Sequence, residues 1–405
     1  MEKTKLRYLL TVSGVVLALV AGGCGGSSSD GHGTGSSSSS EGNGTSSGSS
    51  SSWGGAEVPF VMTVNSGPDR TFTVPTNEGH AYVYDYSVDC DNDGVDEFTG
   101  QTGDVTCTYD LADHNYTVAI RGKFPAIRFG KDHEIGVAGY RTDHDKLMAI
   151  DRWGDQRWET MFYAFAYCGN MIYRATDRPD LSGVESLAYM FDHASKFNGA
   201  IGDWDVSHVK SLAGMFTYAL IFDQDLSDWN VSGVTDMSAM FYATDRFNRD
   251  LSRWDVRRVE NMYAMFYAAA YSRDLNDWNV SNVKNMSYMF AWGYFDGNIS
   301  GWDVGSVKNM RMMFGRTKAF NGDISDWNVS SVTDMSDMFA YAARFNADVE
   351  KWGERTANVT TMKEMFRGAE AFTGHDLRSW DVSKVTDHTD FGTGWGSGNI
   401  EPLWP

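Results

Sequence analysis

Between residues 147 and 394 the chain closes a short motif on phenylalanine again and again, at intervals of about 25 residues. The closing residues are Phe165, Phe191, Phe216, Phe241, Phe266, Phe290, Phe314, Phe339, Phe366 and, in a degenerate last copy, Phe391. A fixed period of this length implies one small structural unit per repeat. No unit can bury its apolar side alone, so each must stack on its neighbours. The unit reads L-x-x-W-x-V-x-x-V-x-x-M-x-x-M-F, as in Leu226, Trp229, Val231, Val234, Met237, Met240 and Phe241. Trp and Val two apart share one face of a strand. Met, Met and Phe, spaced by three and then one, share one face of a helix. The pattern predicts a solenoid of about ten repeats over 147–394, built from short parallel strands plus short helices. Trp204, Trp229, Trp254, Trp278, Trp302 and Trp327 would be its interior spine.

Three further columns run in phase with this period. The residue before the first Met position is Thr160, Ser186, Ser211, Asp236, Asn261, Asn285, Asn309, Asp334, Thr361 and Asp387. Every entry has a side-chain oxygen suited to capping a helix N-terminus. Three residues after the Phe stand Cys168, Ala194, Ala219, Thr244, Ala269, Gly293, Thr317, Ala342, Ala369 and Gly394, all small enough for close stacking. Cys168 falls in that column and reads as a buried small residue, not a nucleophile. Between Trp and Val the chain alternates Asp205, Asn230, Asp255, Asn279, Asp303 and Asn328. On a stacked sheet these would face outward about 4.8 Å apart. Amides placed between carboxylates relieve a repulsion of roughly 3–4 kcal/mol at an effective dielectric of 20. The alternation is therefore expected to be a stacked ladder first and a ligand surface second.

The flanks differ in character. Residues 1–23 carry Lys3, Lys5 and Arg7, then an apolar run, then small residues, the form of a secretory signal. "VAGGC" resembles the lipobox of bacterial lipoproteins, which implies that Cys24 is lipidated. The Ser/Gly-rich stretch through residue 56 has nothing to bury and reads as a tether. Residues 57–123 alternate in short runs broken by Gly, Asn, Asp and Pro, as in a small β-sandwich. There Cys90 shares a strand face with Tyr84, Tyr86 and Val88, and Cys107 shares one with Val105 and Tyr109, so a disulfide is expected in an oxidising compartment. Asp89, Asp91 and Asp93, with Glu97 nearby, are spaced for Ca²⁺, although Gly100 stands where an EF-hand needs Glu. "DNDG" is equally ordinary turn chemistry. Residues 124–146 connect this domain to the repeats, and 395–405 would cap the far end.

Two resemblances bear on function. "DWDVSHVKSLAGMF", "DWNVSNVKNMSYMF" and "DWNVSSVTDMSDMF" are similar to the BspA-like bacterial surface-protein repeat, a relative of the leucine-rich repeat. The segment "DCDNDGVDEFTG…TCTYDLADHNYTVAI" resembles the polycystic-kidney-disease type of immunoglobulin-like domain, with Cys107 in place of the usual His and Asn115 in place of Gly. Together they imply a leucine-rich-repeat-like solenoid on an outer-membrane lipoprotein, exposed at the surface and engaged in adhesion. No catalytic residues come with the resemblance, and no HExxH, P-loop or zinc-spaced cysteine pair occurs. A net charge of −20 argues against a nucleic-acid partner. The expectation is a non-enzymatic binder of extracellular protein, without cofactor apart from Ca²⁺, and touching the membrane through its lipid only. Glycan capture and a passive scaffold are the alternatives. The aromatic candidates for the binding surface are Tyr218, Tyr242, Tyr267, Trp292 and Tyr341, each of which could instead cover the Met/Phe core.

Overall fold

Alternating apolar residues in the N-terminal part build two sheets. The computed structural model describes residues 57–77, 82–130 and 143–405. The signal segment, Cys24 and the tether lie outside the described residues, as does most of the insertion at 131–146. Strands β1 (Phe60–Asn65), β3 (Asp85–Asp89), β4 (Phe98–Gln101), β6 (Asn115–Lys123), β7 (Leu147–Arg152) and β8 (Ile172–Tyr173) form one sheet in the order β4-β3-β6-β1-β7-β8. Strands β2 (Thr71–Val74) and β5 (Val105–Thr108) pair separately. Period-two patterning decides which side of β1 is inside: Phe60, Met62 and Val64 are fully buried. Cys90 and Cys107 form the expected disulfide.

The expected fold class needs correction on two counts. The larger sheet is not confined to a small sandwich, because β1 lies between β6 and β7, and β7 with its parallel neighbour β8 comes from beyond residue 146. Nor do the repeats form a leucine-rich-repeat-like solenoid of short strands plus short helices. The described residues contain no α-helix, and beyond β8 the repeats contain no strand, only isolated single-residue bridges. Where a strand was expected, Trp229 and Val234 close turns onto Leu226 and Val231.

Where a helix was expected, the Met-x-x-Met-Phe segment is a chain of turns. In one repeat Met240, Tyr242 and Thr244 each donate to the carbonyl three residues back. The intervening amides of Met237, Ala239, Phe241 and Ala243 point the other way, to the carbonyls of Asn261, Tyr263, Met265 and Tyr267 in the next repeat. Four such bonds join each neighbouring pair of layers from Met161 to Thr393. The alternation requires two left-handed residues per repeat, such as Ala239 (φ 53°) and Ala243 (φ 54°), and these stop any helix from propagating.

Side chains fill the space between layers in columns. The Phe closing each motif stacks on the next at 5.4–6.0 Å from Phe165 through Phe366. The tryptophans from Trp204 to Trp327 are 1–4 % exposed. From Trp229 to Trp327 their rings stack at 6.2–6.5 Å. Each indole N–H from Trp229 to Trp380 donates to a backbone carbonyl of the preceding layer, as Trp254 does to Leu226.

Candidate binding face

Asx and Ser/Thr turns set the outline of each layer. Oδ1 of Asp225, Asn230 and Asp236 accepts from the backbone N–H two residues on, in Ser227, Ser232 and Ser238. The column expected to cap helices has the expected chemistry, but it caps turns, and its members from Ser186 to Asp387 bridge layer to layer. The sequence signal was available: [D/N]-x-S recurs three times in the repeat that holds Asp225.

The Asp/Asn column is therefore organised within each layer. Asp205, Asn230, Asp255, Asn279, Asp303 and Asn328 all accept from the amide two residues ahead, and all but the half-buried Asp255 are exposed. The Ser207 hydroxyl and amide hold the Asp205 carboxyl below its usual range, and the Arg257 guanidinium does so for Asp255. A shallow groove on this side is lined by Asn276, Asn279, Ser281, Gly301 and Asp303.

The opposite edge of the layer, the chain of turns, carries the aromatic candidates. Their rings stack across layers: Tyr167 on His193 at 4.5 Å, His193 on Tyr218 at 4.5 Å, Tyr218 against Tyr242 at 5.5 Å, and Tyr242 on Tyr267 at 4.6 Å. Tyr242 and Tyr267 are 6 % exposed, and burial pushes both phenols far up. Tyr218 and Trp292 are half-buried, while Tyr341 is exposed. Trp292 and Tyr341 enclose a residue the sequence reading passed over. The Arg316 guanidinium lies 4.7 Å from the Trp292 ring and 4.3 Å from that of Tyr341. Beside it Lys318 sits 4.1 Å from the ring of Tyr294, the most exposed of these aromatics.

One column explains the strip. The position two after the Phe reads Tyr167, His193, Tyr218, Ala243, Ala268, Trp292, Arg316, Tyr341 and Gly368. Every large entry is planar and every other is Ala or Gly, the pattern demanded by face-to-face stacking at a left-handed position. In the Ala243 and Ala268 layers the ring is carried one residue earlier, by Tyr242 and Tyr267. Along the strip Tyr167 stacks on His193 and Tyr242 on Tyr267, while Trp292, Tyr341 and Tyr294 pair with the cations of Arg316 and Lys318.

Within the expected Ca²⁺ set, Asp89, Asp93 and Glu97 accept backbone amides. Asp89, Asp91 and Asp93 bring oxygens within 4.8 Å of one another. Asp89, however, accepts from the amides of Asp93 and Gly94 and lies 3.4 Å from Arg121, which also pairs with Asp96. Glu97 turns to the Cys90 amide. These contacts give Asp89 a turn-closing role with its own counter-charge. Cys168 is buried and unoxidised in its small-residue column.

The repeats match a family model described as "Mycoplasma protein of unknown function, DUF285", over residues 159–274, 232–314, 269–358 and 291–394. These overlapping matches take in more than half of the chain. The chain belongs to that family. No curated protein and no solved structure matches it. The DUF285 matches span the stacked layers and leave strands β1–β7 outside. Among the described residues no helix is long and apolar enough to cross a membrane.

Proposed function

We propose that this DUF285 chain is a surface-displayed binding protein, exported, anchored through a lipid on Cys24, and recognising extracellular protein along the outer edge of its turn segments. One observation carries the reading. The aromatic strip of Tyr218, Trp292 and Tyr341, with Tyr294, Arg316 and Lys318, is partly exposed yet presents edges, hydroxyls and cations. Tyr, Trp and Arg with apolar bodies and polar tips are the residues that dominate protein–protein contacts. Glycan capture needs a free aromatic face for a sugar ring to lie on, and Trp292 and Tyr341 each turn a face to the Arg316 guanidinium while Tyr294 turns one to Lys318. The resemblance to BspA-like surface repeats points the same way. Long repeat stacks offer extended surfaces more readily than closed clefts.

The test is binding of the purified protein to immobilised extracellular proteins and to cells, with Tyr218→Ala/Tyr341→Ala as the variant pair. Saturable binding that falls at least about tenfold in the variant, the loss of one or two hot-spot side chains, and that soluble sugars leave unchanged, is the expected result. Competition by simple sugars, or full binding by the variant, would refute it. In cells, Cys24→Ala should move the protein from the membrane fraction to the medium.

A further inference from the structure

The repeat leaves its own pattern most clearly between residues 346 and 376. Several layers place Ser two after the turn-closing Asp, as in Asp225-Leu-Ser227, Asp250-Leu-Ser252 and Asp323-Ile-Ser325, but here the chain reads Asp348-Val-Glu350. One layer on, Phe345-Asn-Ala-Asp348 becomes Phe372-Thr-Gly-His-Asp376, with His375 inserted. Stacking accounts for the consensus residues and requires neither of these two, yet they meet.

The local geometry fixes the proton on His375. Its side chain is 11 % exposed and its ring lies flat on Phe372 at 4.1 Å. Nε2 is 3.0 Å from Asn346 Oδ1. That oxygen also accepts from the Thr373 amide at 2.8 Å, so the Asn346 side chain cannot be turned to present its nitrogen. Nε2 must therefore donate, and in the neutral ring Nδ1 holds a lone pair. Nδ1 faces Glu350 Oε1 at 3.4 Å. Glu350 is itself steered by the Asp376 amide at 2.9 Å, and Asp348, which closes its turn on the Glu350 amide, brings a third ligand atom within 4.8 Å of the others.

Two acceptors facing each other require positive charge between them, either a proton or a metal ion. Two ligands on tetrahedral zinc, with bonds of about 2.0–2.1 Å, lie roughly 3.3–3.4 Å apart, which is the separation found. Donation from the second ring nitrogen to an oxygen is also what orients metal-binding histidines. We propose that His375 Nδ1, Glu350 and Asp348 form a site for a divalent transition metal, with the imidazole-plus-carboxylate preference of Zn²⁺. Asn346 is its positioning residue, and the ion would clamp the irregular layer at Glu350–Thr356 to the layer after it.

The untagged full chain, stripped with chelator and titrated with Zn²⁺ by calorimetry, should bind one ion per chain. His375→Gln and Glu350→Gln should each weaken binding at least about tenfold, and Asn346→Ala by about tenfold, the usual effect of losing an outer partner. His208→Gln, an exposed histidine elsewhere, should change nothing. Circular dichroism of each stripped variant separates loss of the site from loss of fold. Should the stripped chain bind Zn²⁺ more weakly than about 0.1 mM, leaving a His375–Glu350 ion pair only, the proposal is overturned. Tight binding that persists unchanged in both His375→Gln and Glu350→Gln overturns it equally.

Discussion

The repeat tryptophans from Trp229 to Trp380 both fill the core and donate to a backbone carbonyl. Trp254 is 3 % exposed, stacks between Trp229 and Trp278, and donates to the Leu226 carbonyl at 2.9 Å. Trp254→Ala should cost about 3–5 kcal/mol. Trp254→Phe keeps an aromatic in the stack but removes one of the two hydrogen bonds the Leu226 carbonyl accepts, the other coming from the Trp229 amide, and should cost about 0.5–1.5 kcal/mol. Urea unfolding measures both, and a Phe variant as stable as the parent would deny the hydrogen bond any role. The turn carboxylates give a pH dependence of definite sign. Asp205 is held low by the Ser207 hydroxyl and amide, and Asp225, Asp250 and Asp323 by the amide and hydroxyl of the serine two residues on. Arg378 and its amide hold Asp376 at about 2. A lowered folded value contributes stability that is present above the ordinary 3.8 and is lost as pH falls through the folded value. Half-buried Asp337, raised by desolvation, opposes this trend. Replacing Asp205, Asp225, Asp250 and Asp323 by Asn keeps each acceptor, as Asn230 and Asn279 already do. The thermal midpoint of that variant should fall less than the parent's between about pH 5 and pH 2; parallel curves would count against the argument. Much at this scale was legible in the sequence, because phase alone marks Trp, Met, Phe and the small column as interior. The Asp/Asn column was misread because outward alternation on a strand and a series of Asx turns place the same residues outside.

The turn chain defines the element scale, and here the sequence was least legible. Met-x-x-Met-Phe has a spacing of three, which fits one helix face and equally fits successive three-residue turns. What separates them is backbone conformation at two positions per repeat, and sequence reveals that only where glycine stands. Gly214, Gly368 and Gly394 mark it with positive φ, but Tyr163, Ala239, Met312 and Arg316 occupy equivalent places unannounced. An L-residue there costs about 1–2 kcal/mol relative to the right-handed region, and the bond to the next layer over-determines it. Ala243, at φ 54°, is a clean place to measure that cost, since its side chain is a single methyl. Ala243→Gly should raise stability by about 0.5–1 kcal/mol, the strain relieved less the extra freedom of the unfolded glycine. Ala243→Val should lower it, because a β-branched residue tolerates φ > 0 poorly. If the segment were helical in solution, glycine would instead destabilise by about 1 kcal/mol, so the sign of the change in chemical denaturation decides between the two.

At the scale of the whole molecule, sheets and layers share one core. A continuous buried cluster runs from Phe60 in β1 to Phe391 in the last layer. The junction is aromatic: Phe60 packs on Trp153 and Trp158, and Trp153 meets Trp204 at 5.5 Å while donating to the Tyr173 hydroxyl. Strand β7, which the sequence assigned to the repeats, supplies the other connection by pairing with β1. In stacked repeats stability is close to a sum of layer and interface terms, so cooperativity persists only as far as the interfaces are strong. Strong coupling at Trp153 predicts a single heat-unfolding transition that takes the sheet and the layers together. Trp153→Ala removes a fully buried ring at the one aromatic contact common to Phe60, Trp158, Phe165 and Trp204. The interface term should drop by about 3–5 kcal/mol, enough to let the two parts melt separately in calorimetry. The sheet part, held by the Cys90–Cys107 disulfide, should then respond to reductant while the layers do not. A single transition retained in Trp153→Ala, equally sensitive to reductant throughout, would place the coupling in β7 rather than in the aromatic junction.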